Sequence, residues 1–117
     1  PRIGQEAALA GLLHAQEWRA EQVTRIRELE NRFLAAMHDQ PGGFEVVASG
    51  AYFGWVRHPR ADLTTSEVVR RLVLEHDVLV IPGTAFTADD DAMVRMSFAN
   101  REPAEIEELT LRLAEFA

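Results

Sequence analysis

Among the side chains of this sequence that could carry chemistry, Arg95 stands out by its setting. From Ala92 to Ala99 the residues alternate, with Val94, Met96 and Phe98 on one face and Met93, Arg95 and Ser97 on the other, which is the period of a strand. Arg95 therefore falls mid-strand, opposite the apolar face and beside the small Ser97. A guanidinium fixed on a rigid strand suits a two-pronged grip on a carboxylate. On spacing alone an arginine facing solvent fits the same pattern and is the commoner case.

The other candidates are weaker. His14, His38, His58 and His76 are dispersed and show no HxxxH or HExxH spacing, so they read as surface or helix-end histidines rather than zinc ligands. Asp89-Asp90-Asp91 lacks the alternating oxygen ligands and closing glutamate of a calcium loop and reads as a solvated turn. Gly42-Gly43, Gly50, Gly54 and Gly83 form no GxGxxG, GxxxxGK or GxSxG, which removes phosphate cradles and hydrolase elbows and leaves turns and close backbone approaches. No cysteine is present, so disulfides, thiolate metal sites and thiol nucleophiles are excluded. All 12 basic residues are arginines, and without a lysine no side-chain amine can form a Schiff base.

The 117 residues carry 19 acids against those 12 bases, a net charge of -7. Scattered arginines among more numerous carboxylates make no phosphate-binding surface, which argues against nucleic acid. No apolar run approaches the roughly 20 residues that cross a bilayer, and the chain is expected to be soluble, cytoplasmic and free of membrane partners. The length suits one domain with a core that needs no disulfide or metal. The chain opens at Pro1 and, with its lack of lysine, reads as a piece of something longer; removal of an initiator or tag would give the same start.

Elements that would position Arg95 are legible from periodicity. Gln5 to about His38 holds one glycine and no proline among good helix formers, predicting one long helix or two abutting ones. Val23, Ile26, Leu29, Phe33 and Met37 line one face, and Gln40-Pro41-Gly42-Gly43 stops it. Such a rod would be about 50 Å long at 1.5 Å per residue, against about 35 Å for a globule of this size. It should overhang its domain and leave Leu9, Leu12, Leu13 and Trp18 without local partners.

Two short strands follow, Phe44 to Ala48 and Tyr52 to Arg57, separated by Ser49-Gly50. Thr64, Thr65, Ser66 and Glu67 offer caps for a helix to about His76. Val78 to Ile81 is uniformly apolar, as in a strand covered on both faces, and Pro82-Gly83 closes it. After the Arg95 strand, Pro103 opens an amphipathic helix with Ile106, Leu109, Leu113 and Phe116 on one face. The predicted fold is α+β: a long N-terminal helix over residues 1–40, then a small domain over 41–117 built on a mixed or antiparallel sheet with helices on one face.

Four blocks read together resemble the C-terminal segment of class I/II pyridoxal-phosphate-dependent aminotransferases. They are Pro1-Arg2-Ile3-Gly4-Gln5-Glu6-Ala7-Ala8, Gly42-Gly43-Phe44 through Gly50-Ala51-Tyr52-Phe53-Gly54-Trp55-Val56-Arg57, Val78-Leu79-Val80-Ile81-Pro82-Gly83-Thr84-Ala85-Phe86, and Val94-Arg95-Met96-Ser97-Phe98-Ala99-Asn100. The likeness covers nearly the whole chain, and its blocks stand in family order and at family spacing.

The resemblance implies that the long helix runs from a large cofactor domain, absent here, into the small domain. It implies that Arg95 grips the substrate α-carboxylate, with Phe86 and Tyr52 near the substrate side. The cofactor, pyridoxal 5'-phosphate, and the Schiff-base lysine, the acid at the pyridine nitrogen and the phosphate-binding residues would all belong to the upstream part. No cofactor is expected on this chain, and by itself it should be inactive. The parent would exchange an amino group between an amino acid and a 2-oxo acid, usually as a homodimer. Two alternatives stay open: a family member running another reaction on the same cofactor, such as decarboxylation or C–S cleavage, and a free-standing α+β binding or interaction module.

Overall fold

Helix formers without an internal proline give helix from the second residue on, and the computed structural model, which describes residues 1–89 and 92–116, shows two abutting helices, α1 (Arg2–His14) and α2 (Gln16–Ala36). The joint is Ala15 alone, at φ -109 and ψ 34; its N–H still donates to the Gly11 carbonyl and its own carbonyl accepts from Arg19 N–H. The helix is therefore interrupted at one residue, whose own two backbone bonds persist. A 3₁₀ turn at Pro41–Gly43 follows, with Gly42 and Gly43 both at positive φ. At Gly42 a Cβ would come within 2.0 Å of the Leu113 carbonyl oxygen, so chain direction and close approach both demand glycine there.

Next come β1 (Glu45–Gly50) and β2 (Phe53–Arg57), then α3 (Thr65–His76), β3 (Ile81–Pro82), β4 (Met93–Ser97) and α4 (Pro103–Ala114). The sheet order is β1-β2-β4-β3 and every pairing is antiparallel. The β1–β2 reversal falls at Ala51-Tyr52, with Ala51 at φ 52, two residues later than the Ser49-Gly50 expected from the glycine. A bulge between Val46 and Ala48 sets the extra residue, Val47, outward. Thr64 caps α3 through a full capping box with Glu67, as the hydroxyl run predicts.

Leu29 and Phe33 of α2 with Met37 at its C-terminal cap, Val68 and Leu72 of α3, and Ile106, Leu113 and Phe116 of the α4 region bury against Val56, Val94 and Met96 in one core. All three helices thus lie on one face of the sheet, as the alternation of β4 requires. Gly54 lets α2 close down: an added Cβ would stand 2.5 Å from the Phe33 ring.

Two expectations are corrected. Val78 to Ile81 is not covered on both faces: Val78 and Val80 are buried but Leu79 is 78% exposed, because the segment lies at the sheet edge and only Ile81 and Pro82 pair with β4. His58 is not a surface residue; it is buried, with its Nε2 3.0 Å from the Thr65 hydroxyl and its backbone N–H bound to the Ala92 carbonyl. Asp90 and Asp91 of the acidic run lie outside the described residues.

The N-terminal rod overhangs as its length dictates. The molecule measures 51 × 30 × 23 Å with a radius of gyration of 16.8 Å, against about 13 Å for a compact chain of this length. α1 buries nothing: Ile3, Leu9, Leu12 and Leu13 are more than half exposed, as is Trp18 at the start of α2.

Candidate functional site

With the helices on one side, the other face of the sheet is open, and Arg95 stands at its centre. The register places Ala48, Trp55, Arg95 and Ile81 side by side in one row across the four strands. Strand alternation sends Phe53 to the same face, one step along β2 toward Ser97 of β4. Arg95 is half-buried, and its Cζ lies over two aromatic rings, 4.1 Å from the centroid of Phe53 and 4.5 Å from that of Phe86. Those distances are well inside the range of cation–π attraction.

Phe86 reaches this place through a tight turn. After β3 the chain makes a 3₁₀ turn at Gly83–Ala85, and the Gly83 carbonyl accepts the N–H groups of Phe86 and Thr87, at 2.8 and 3.0 Å, and the Thr87 hydroxyl. Gly83 is pressed onto β4, where a Cβ would meet the Met93 carbonyl oxygen at 2.7 Å. The loop is therefore seated on the strand that carries Arg95, and Phe86 folds back over it. Trp55 meets Phe86 edge to face at 5.9 Å, and Tyr52 meets Phe53 in the same manner at 6.2 Å. Beside the guanidinium a shallow hollow of ≈ 220 Å³ is lined by Arg95, by Phe53 to Trp55 of β2 and by Ala48 to Gly50 of β1.

Arg2, Arg25, Arg57, Arg60, Arg101 and Arg112 each lie within 4.0 Å of a carboxylate. Among the described residues Arg95 is in no ion pair. A cation set among ring faces and left without an acid can bind an anion from outside with its N–H edge. Away from this face the Arg60 guanidinium holds the Asp62 carboxyl at about 2, and hydrogen bonds from Thr64 lower Glu67.

A second cavity, ≈ 210 Å³, separates α4 from the 77–80 segment, but its cations Arg101 and Arg112 are matched by Glu105 and Glu108. Among the described residues no three His, Asp or Glu side chains gather to hold a metal.

Of the residues singled out by sequence, Arg95 and Phe86 meet directly. Tyr52 does not reach Arg95; it sits half-exposed on the β1–β2 turn against Phe53. Phe53 and Trp55 carry no site role on sequence alone. Their alternation within Phe53-Gly54-Trp55-Val56-Arg57 signals a shared face, but only the β2–β4 register shows that Arg95 lies on it.

The model of the family described as aminotransferase class I and II matches residues 1–113. The aromatic aminotransferase ISS1 of Arabidopsis thaliana is 30% identical over 113 residues, which are 95% of this chain and 28% of that protein. An aminotransferase from Staphylococcus aureus superposes with a TM-score of 0.79 at 28% identity, over 95% of this chain and 29% of its own. N-succinyldiaminopimelate aminotransferase from Mycobacterium tuberculosis gives 0.78 at 27% identity, over 97% and 30%. The chain therefore spans less than a third of the length of these relatives.

Proposed function

This chain belongs to the aminotransferase class I and II family, and from that premise we propose that it is the small C-terminal part of an enzyme that moves an amino group between an amino acid and a 2-oxo acid, with Arg95 as its grip on the substrate α-carboxylate. One observation carries the reading: a half-buried arginine at the centre of the helix-free face, in no ion pair among the described residues, held between two phenyl rings. A planar guanidinium offers two parallel N–H donors to a carboxylate, fixing both position and orientation. Its contribution is to hold the substrate so that the reacting Cα faces the catalytic groups, which is positioning rather than acid or base work.

Pyridoxal phosphate, when bound, supplies the electron sink and the amino-group carrier of this chemistry. The residues of this chain do not fit it: no lysine is present among the 117 residues, so the anchoring amine has to come from the portion of the enzyme outside them. That portion would also cover the exposed apolar residues of α1, with residues 1–40 spanning between the two and residues 41–117 forming the small domain.

The test is replacement of Arg95 in the complete enzyme. Arg95→Ala should lower kcat/KM for amino acids by about 10²–10³-fold, the cost of leaving a sequestered carboxylate unpaired at about 3–4 kcal/mol. Arg95→Lys should also be poor, because a point charge loses the fork. Unchanged specificity constants would remove Arg95 from the site.

A further inference from the structure

An arginine half-buried in an apolar setting is ordinarily held by an acid, which consumes the donors a ligand would need. Arg95 is held differently. Phe53 approaches from the β2 side and Phe86 from the loop that follows β3, so the guanidinium on β4 is flanked from both neighbouring strands. Ring faces attract the cation without accepting a hydrogen bond in the guanidinium plane. Each ring is braced in turn, Phe86 by Trp55 and Phe53 by Tyr52.

We propose that Phe53 and Phe86 are positioning residues that hold Arg95 in a carboxylate-ready orientation, in place of an acidic partner. This rests on the reading of Arg95 as the carboxylate grip. The two rings touch the guanidinium rather than the reacting atoms, so their loss should weaken capture of the carboxylate more than it slows the step that follows.

The experiment uses the complete enzyme with Phe53→Leu, Phe86→Leu, the double variant, and Phe53→Tyr and Phe86→Tyr, which keep a ring. Each is assayed with the fastest donor among the standard L-amino acids and with the amine that lacks only that donor's carboxylate. Each leucine variant should raise KM for the amino acid by about 3–10-fold, with a smaller fall in kcat. The double variant should approach the product of the two, the tyrosine variants should return KM to within about twofold of wild type, and the carboxylate-free amine should show no selective loss. If Arg95→Ala raises KM while both leucine variants behave as wild type, the rings do not position the arginine, although the arginine keeps its role. If Arg95→Ala itself changes nothing, the reading of the arginine fails first. Equal losses for amino acid and amine, or no recovery with tyrosine, would make the rings simple packing and overturn the proposal.

Discussion

Gly54→Ala tests how tightly the helices are pressed against the back of the site. Gly54 lies on the helix-facing side of β2 between Ser49 of β1 and Met96 of β4. A Cβ there would stand 2.5 Å from Cε1 and 2.8 Å from Cζ of Phe33, where carbon atoms prefer about 3.5–4.0 Å. The ring is closely held: Phe33 is 1% exposed and stacked on Phe98, with centroids 5.4 Å apart, and it borders the cavity between α4 and the 77–80 segment only on one side. Overpacking of this kind costs about 1–3 kcal/mol, and the lower entropy of an unfolded alanine offsets about 0.4–1 kcal/mol. The net loss should be about 1–2 kcal/mol. The assay is urea unfolding of Gly54→Ala, Phe33→Leu and the double variant, followed by circular dichroism. Because leucine vacates the space the new methyl needs, the double variant should lose less than the two singles together, by at least about 0.5 kcal/mol. A Gly54→Ala protein as stable as the wild type, or strict additivity, would refute the contact.

Two further outcomes follow from the surface. The Asp62 carboxyl, which accepts hydrogen bonds from Arg60 Nε and Nη2 at 2.8 and 2.7 Å, should titrate at about 2 rather than 3.8 in a carbon-detected NMR titration, and Arg60→Ala should return it toward 3.8. Since folding lowers this value, the stabilising effect of the pair is complete above about pH 4 and is lost as pH falls toward 2, the window between the unfolded and folded values. Leu12→Gln and Trp18→Gln, at positions 60% and 61% exposed, should leave the stability of the 117-residue protein within about 0.5 kcal/mol yet lower the melting temperature of the complete enzyme, as differential scanning calorimetry would show; no effect there would mean that nothing covers this face.

How much of this was legible in the residues depends on how local the cause is. The apolar steps of Leu29, Phe33 and Met37, the capping run at Thr64 and the alternation around Arg95 are local patterns, and each gave the right element. Val78 to Ile81 misled because an unbroken apolar run looks the same whether its outer side chains meet another layer of this chain or, like Leu79, stand at an open edge. His58 misled because its buried hydrogen-bond partner, Thr65, stands seven residues on, beyond any local pattern. For the site, the position and face of Arg95 could be read from β4 alone. The ring pair could not, since it depends on the β2–β4 register and on a loop seated by Gly83, both of them long-range facts.

The joint at Ala15 gives the N-terminal rod the character of a lever. Beyond it α1 extends 13 residues, about 20 Å at 1.5 Å per residue. A change of only 10° at that single pair of backbone angles would displace the tip by about 3.5 Å, more than the span of a hydrogen bond. Whatever clasps the tip is thereby aligned with the sheet through one alanine, and a proline or glycine at that position would reset the alignment without touching either end.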